Sequence, residues 1–183
     1  MPYRLTKIVT RTGDDGHTNL GKQRVPKDNI LIEVLGTLDE LNSTLGLCLS
    51  LGTPNNQLIV TALTQIQQDL FNIGGELYAP EHPVITTEKI SRLEELINNW
   101  NTTLPPLKEF LLPGGNPASA ACHLARTVCR RLERRLVTLH QQHPLANREI
   151  LRYTNRLSDL LFVLARILAK DTHEQEVVWE RSV

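Results

Sequence analysis

The sequence predicts an all-α protein: a bundle of five helices in up-down packing behind an irregular, glycine-rich N-terminal segment. Three observations predict it. Apolar residues recur at alternating steps of three and four along most of the chain, and cap and proline signals delimit the stretches that carry this period. Aromatic residues make up only 4% of the composition, so leucine-rich helices are left to build the core. A length of 183 residues fits one domain able to bury a self-sufficient interior.

Over residues 30–51, Leu31, Val34, Leu38, Leu41, Leu45 and Cys48 line one helical face. A second helix is expected where Thr53 caps and Pro54 takes the first helical position; it carries Ile59, Ala62, Leu63, Ile66, Leu70 and Ile73 and ends near Gly74 and Gly75. A third starts at Thr87 and carries Ile90, Leu93, Leu96, Ile97 and Trp100 before Leu104, Pro105 and Pro106 stop it. Residues 108–115 read as a loop. Asn116 followed by Pro117 opens a fourth helix that runs to about Gln142, ahead of Pro144. The fifth spans roughly residues 145–170, with Ile150, Tyr153, Leu157, Leu160, Leu164 and Ile167 repeating the alternation of an antiparallel seam. The first 29 residues carry no helical period, and at most residues 5–10 form a strand.

Composition excludes several classes. With 20 basic and 20 acidic side chains the formal charge is zero, which argues against a nucleic-acid or anionic-membrane surface; any anion site must be local. Cys48, Cys122 and Cys129 are an odd number, lack CxxC spacing and fall inside apolar helical patterns, so neither a disulfide framework nor a zinc site is expected. A reducing cytoplasm suits such cysteines. MPYRLTKIV has no apolar core of the kind an export signal needs, and no uncharged run reaches the roughly 18 residues of a membrane span.

In RTVCRRLERR, five arginines fall within ten residues. Arg126, Arg130 and Arg134 recur at four-residue spacing, so a helix sets them along one face with about 40° of drift per step, and Glu133 joins that face. Such a cluster repels itself unless an anion lies among its members, and guanidinium forks match phosphate oxygens bidentately. The alternative is a solvated basic face, or arginines paired with acids of neighbouring helices.

Further segments bear on that choice. In TRTGDDGHTNL, Gly13 and Gly16 bracket Asp14 and Asp15 while threonines stand at 10, 12 and 18; such a loop aims backbone N–H groups and hydroxyls at an anion, and either aspartate suits a Mg²⁺ water, although the same residues make an ordinary turn. GHTNLGKQ falls one residue short of a Walker A match and has no strand-loop-helix context, so a P-loop is rejected. In YTNRLSDLLF, Arg152, Asn155, Arg156 and Asp159 share about 100° of the fifth helix, as a ligand-binding face or a salt-bridge network. Asp39 shares a small and polar face with Gly36, Asn42, Ser43 and Gly46 and is a candidate partner for an arginine. FLLPGG, residues 110–115, either offers apolar side chains to a ligand or tucks them into the bundle; the loop taken alone favours the second.

Taken together, TRTGDDGHT, RVPK (residues 24–27), GTLDELNS (36–43), FLLPGG, ARTVCRRLERR (125–135) and YTNRLSD (153–159) resemble the PduO-type cob(I)alamin adenosyltransferases, in order and over nearly the whole chain. LGKQRV departs from the glycine-rich family pattern at Lys22 and Gln23, and His17 intervenes between Gly16 and Thr18. The resemblance implies an enzyme that transfers the 5′-deoxyadenosyl group of ATP to the cobalt of cob(I)alamin, releasing triphosphate. It implies a single domain: residues 1–29 as the nucleotide-binding loop, 30–170 as the bundle and 171–183 as a C-terminal tail. It also implies a homotrimer with ATP between subunits. Thr10, Arg11, Thr12, Gly13, Thr18 and Lys27 would then bind the nucleotide from one side, and Arg130, Arg131, Glu133, Arg134 and Asn155 from the other. Arg126 would pair with Asp39 across the interface, and Phe110 would pack under the corrin ring and displace the lower axial ligand of cobalt.

Arg130, Phe110, Arg126 and Asp39 are accordingly the residues expected to carry catalysis. Mg²⁺ is expected to be held mainly by the ATP phosphates. The partners expected are a reductase supplying Co(I) and an adenosylcobalamin-dependent enzyme, with neither nucleic acid nor membrane. A non-catalytic, ATP-sensing trimer is the alternative. The architecture is ferritin-like, but a di-iron bundle needs Glu-x-x-His pairs, which the chain lacks.

Overall fold

Five helices follow a short hairpin: β1 (His17–Leu20) and β2 (Gln23–Pro26), then α1 (Ile30–Gly52), α2 (Gln57–Tyr78), α3 (Thr87–Asn101), α4 (Pro117–Gln142) and α5 (Glu149–Asp171). This is a computed structural model, and it describes residues 8–21, 23–52, 56–171 and 176–180. Helix α4 lies against both α1 and α5, while α2 packs on α1 and α3 on α5. The stripe on α4 explains its central place. Ala118, Ala121, Cys122, Ala125 and Cys129 are small and buried, so neighbouring backbones approach closely before Leu132, Leu136 and Leu139 fill the far end. The expected stripes of the other helices are buried too, with Val34, Leu38, Leu41 and Leu45 of α1 facing the same core as Leu157, Leu160 and Leu164 of α5. At roughly 1.5–3 kcal/mol for each fully buried large aliphatic side chain, this burial is what holds the bundle.

Helix α4 begins as its cap signal predicts, with Asn116 Oδ1 accepting from the Ser119 N–H at 2.8 Å and Pro117 in the first turn. Two other starts differ. The expected cap of the second helix, Thr53 with Pro54, lies outside the described residues, and α2 is capped by Asn56, whose side chain accepts from the Ile59 N–H at 3.3 Å. Helix α5 starts at Glu149 rather than at 145. The Leu145 N–H donates to His140 Nδ1 at 3.0 Å, and Asn147 Oδ1 accepts from the Glu149 N–H at 3.0 Å. Asn147 Nδ2 meanwhile donates to Glu76 Oε1 at 2.6 Å and to the Ile85 carbonyl at 2.8 Å. These bonds hold the connection out of the helix by offering its polar groups other partners.

The strand expected over residues 5–10 is not found where the chain is described: residues 5–7 lie outside it, and residues 8–10 are irregular. The strands observed come later, in antiparallel register from His17↔Pro26 to Leu20↔Gln23. Two residues connect them, and the first, Gly21, has φ of 61°. A glycine opening a two-residue connection is a hairpin signal that strands of four residues leave easy to miss. Gly21 also lies so close to Tyr78 that a Cβ there would come within 2.5 Å of the phenol oxygen, which seats the hairpin on the end of α2. GHTNLGKQ thus belongs to a hairpin rather than a P-loop.

The C-terminal tail also has a defined place. Val178 forms an antiparallel bridge with Leu111, the Leu112 N–H donates to the Val177 carbonyl at 2.8 Å, and the Trp179 N–H donates to the Phe110 carbonyl at 2.7 Å.

Candidate functional site

The N-terminal loop is folded around Arg24. Its guanidinium donates to the Thr12 carbonyl at 2.6 Å and to Asp15 Oδ1 at 2.7 Å. Arg24 first, and the His17 N–H second, hold the Asp15 carboxyl below its usual range. The loop closes again where the Lys27 N–H donates to the Gly16 carbonyl at 2.9 Å. This brings the Lys27 ammonium onto Gly13, where a Cβ would lie 3.2 Å from Nζ; any side chain at 13 would push the cation aside. Thr10 and Thr12 share a hydroxyl hydrogen bond of 3.0 Å. Between them Arg11 has φ of 59°, a left-handed conformation that costs a non-glycine residue on the order of 1 kcal/mol. Thr10, Arg11, Thr12, Gly13 and Lys27 are therefore gathered in one exposed turn, with Thr18 on β1 beside it. Asp14 is exposed and stays outside the Arg24 clasp; nothing in RVPK as a sequence distinguishes Arg24 as the residue that folds the loop, because its partners Thr12 and Asp15 lie across the hairpin.

On α4 the structure divides the arginines. Arg131 forms an ion pair with Glu40, and Arg135 lies 3.3 Å from Glu33, both glutamates on α1. These exposed pairs are worth no more than about 1 kcal/mol each and chiefly fix the direction of the side chains. Arg126, Arg130 and Arg134 have no carboxylate within ion-pair distance among the described residues; Arg134 Nη1 donates to the Arg130 carbonyl at 3.0 Å. Arg126 Nε is buried without a hydrogen-bond partner, and burial followed by the nearby charge of Arg130 disfavours its protonated form. Glu133 accepts from Asn155 Nδ2 at 2.9 Å, which joins α4 to α5 at this stripe. The rest of the polar face on α5 is a salt-bridge network: Arg156 pairs with Glu94 at 2.9 Å and Asp159 at 2.8 Å, and Arg152 with Glu149 at 2.8 Å.

The loop over residues 110–115 does not tuck inward. Phe110 is 79% exposed and meets Trp179 edge-on, with ring centroids 6.4 Å apart. It overhangs a cleft of about 510 Å³ lined also by Leu107, Leu111, His123, Arg126 and Phe162. The tail meets the loop at the bridge between Leu111 and Val178, and the Phe110 ring rests against Trp179 of that tail. Asp39 is exposed on α1, beside Leu35, Phe71, Gly74 and Gly75 in a groove of about 390 Å³. No ion pair joins it to Arg126 within the chain, and no hydrogen bond or ion pair among the described residues joins the N-terminal turn to the arginine stripe.

His123, not singled out in the sequence, is buried beside Phe162 with ring centroids 6.2 Å apart and Nδ1 unpartnered. Burial, and then the charge of Arg126, lower its pKa from 6.5 to about 4. The folded state therefore binds fewer protons than the unfolded chain between these values, so stability is lost as pH falls through that window. Between about pH 7 and about pH 5 the loss from this group is about 2 kcal/mol at most. His123→Phe is expected to flatten that part of the profile, as read from denaturant midpoints; an unchanged profile would refute the assignment. Burial also pushes up the thiols of Cys122 and Cys129, which leaves them poor nucleophiles.

Residues 8–168 match the family model described as cobalamin adenosyltransferase. A cobalamin adenosyltransferase of Cupriavidus metallidurans is 45% identical over 183 residues, covering 99% of this chain and 98% of the relative. A corrinoid adenosyltransferase of Bacillus subtilis is 40% identical, over 96% of this chain and 93% of its own. Among solved structures, a variant PduO-type ATP:corrinoid adenosyltransferase from Lactobacillus reuteri, complexed with cobalamin and ATP, superposes with a TM-score of 0.89 at 34% identity, over 97% of this chain and 98% of that one.

Proposed function

The chain belongs to the cobalamin adenosyltransferase family, and from that premise we infer that it is a corrinoid adenosyltransferase: it transfers the 5′-deoxyadenosyl group of ATP to the cobalt of cob(I)alamin, releasing triphosphate and forming adenosylcobalamin. The observation that carries the inference to individual residues is the stripe of Arg126, Arg130 and Arg134, aligned cations left without carboxylates while Arg131 and Arg135 are neutralised by α1. A polyanion is the ligand that such a stripe accepts.

ATP lies between adjacent subunits of a homotrimer. Two separated half-sites support this: the turn holding Thr10, Arg11, Thr12, Gly13, Thr18 and Lys27, and the face holding Arg130, Glu133, Arg134 and Asn155, which Arg131 joins by exchanging its Glu40 partner for the nucleotide. The unpartnered Arg126 Nε and the exposed Asp39 support a contact between them across the same interface. Mg²⁺ arrives on the phosphates, where it neutralises charge; Asp14, the carboxylate outside the Arg24 clasp, fits a bound water of that ion.

The protein need supply no nucleophile, because the substrate cobalt attacks C5′ and triphosphate departs. The chain's work is positioning and charge stabilisation. Arg130, Arg134 and Lys27 meet the charge that grows on the leaving oxygen, each such preorganised cation being worth on the order of 3 kcal/mol. Phe110 fills the space of the lower axial ligand, and four-coordinate Co(II) is the more easily reduced form. Catalysis takes place in the cytoplasm, with a reductase delivering Co(I) and an adenosylcobalamin-dependent enzyme taking the product. No helix among the described residues is long and apolar enough to cross a membrane.

Mixing the protein with ATP and reduced cobalamin tests the reaction. A Co–C bond and one equivalent of triphosphate are expected; ADP or AMP would indicate phosphoryl transfer, and bound but unreacted ATP a sensor. Phe110→Ala is expected to retain ATP affinity while losing at least tenfold in turnover from cob(II)alamin under reducing conditions. Undiminished four-coordinate Co(II) in that variant's spectrum would remove Phe110 from this role.

A further inference from the structure

Among the described residues, Arg166 is the most deeply buried ion-paired residue outside the candidate site, with 3% of its side chain exposed. It binds two segments at once. Nε and Nη2 hold Glu176 Oε1 and Oε2 at 2.6 and 3.1 Å as a bidentate fork, and Nη2 also donates to the Pro105 carbonyl at 2.8 Å. Pro105 leads into the loop that bears Phe110, and Glu176 begins the tail segment whose backbone bonds flank Leu111, the residue next to Phe110, on both sides. Side-chain packing holds this loop only in part, through the Phe110 and Trp179 rings. Between residues 111–115, Ser119, His123, Ala165, Arg166 and the tail lies a cavity of about 160 Å³, so the usual close-packed contact that fixes a loop is missing. The Ser119 hydroxyl donates to the Gly114 carbonyl at 2.9 Å and holds the far end of the loop; the Phe110 end is held by the tail's hydrogen bonds to Phe110 and Leu112, and Arg166 anchors the tail.

We propose that Arg166 and Glu176 form a buried latch that positions Phe110, acting on the corrinoid only through it; the functional half of this rests on the role given to Phe110 above. A bidentate guanidinium fork fixes direction as well as distance, which a single ammonium does not. Arg166→Lys therefore keeps the charge but frees the tail, and Glu176→Gln, at a less buried position, removes the charge while keeping the shape.

Two measurements on the full-length protein test the latch. The first is amide hydrogen exchange, in which the Leu112 and Trp179 N–H groups are expected to exchange at least tenfold faster in either variant. The second compares turnover from cob(II)alamin with turnover from cob(I)alamin prepared beforehand in excess reductant. Co(I) needs no axial ligand removed, so misplacing Phe110 is expected to cut the first at least fivefold and leave the second within twofold, with ATP affinity unchanged. Unchanged exchange in both variants overturns the latch. Faster exchange with undisturbed use of cob(II)alamin overturns its function if Phe110→Ala does impair that use. If Phe110→Ala is equally harmless, the role of Phe110 fails and takes the functional half of the latch with it. Equal loss from Co(II) and Co(I) shows a general structural defect and likewise refutes positioning.

Discussion

Arg130→Ala is expected to lower turnover at saturating ATP by at least about tenfold, and by about a hundredfold or more if the full contribution of one preorganised cation to a developing charge is lost. The guanidinium is exposed at the middle of α4, has no carboxylate partner among the described residues, and follows Arg126 and precedes Arg134 by one turn each. Because no acid among the described residues is left unpaired by its removal, the bundle should keep its melting temperature, and the loss should appear in kcat more than in KM if the contact tightens as triphosphate departs. Stopped assays with preformed cob(I)alamin, with assembly followed by sedimentation, separate the two effects. Near-normal turnover at saturating ATP would sink the role assigned to Arg130. An equal loss of trimer and activity would instead make it an interface residue.

The largest effect on stability is expected at a place remote from the site. Asp69 on α2 is 4% exposed; it accepts from the Tyr153 hydroxyl of α5 at 3.1 Å, from Gln65 at 3.3 Å, and forms an ion pair with Lys89 of α3. One carboxylate thus ties together three helices. Asp69→Ala strands a fully buried phenol and a largely buried ammonium, a change of about 3 kcal/mol once the partial access of Lys89 to water is allowed for. For a chain of this size that is roughly a 6–12 °C fall in the melting temperature. Tyr153→Phe in the Asp69→Ala background should recover part of it, since the phenol then has nothing to satisfy. A melting point within about 2 °C of the parent would show that water replaces the carboxylate at little cost.

The helices were legible in sequence where one face of a helix is buried throughout, because the 3.6-residue period then writes itself into the apolar pattern. Leu38, Leu41 and Leu45, or Leu157, Leu160 and Leu164, left no choice of face. Asn116 and Pro117 marked the start of α4 to the residue, since a cap is a local bargain between one side chain and the next turn. The start of α5 was not legible, because Asn147 takes partners from α2 and the segment before α3, far away in sequence. The hairpin was hidden for a different reason: each strand has four residues, too few for alternation to rise above chance, and its seat on Tyr78 is a tertiary contact.

For the site, sequence by itself determined which residues carry charge and which share a helical face: Arg126, Arg130 and Arg134 in a line, the glycines and threonines of the N-terminal turn, and Phe110 in a loop without period. Only the tertiary structure decided which arginines are free. Glu33 and Glu40 neutralise Arg135 and Arg131 because α1 packs alongside α4, and nothing in the spacing of the arginines distinguishes those two from the rest. It likewise decided that Phe110 faces outward, beside a tail segment more than sixty residues away. The physical reason is the same in each case. Periodicity and caps follow from the chain's own backbone geometry, whereas pairing of charges and the seating of a loop depend on surfaces that meet only after folding.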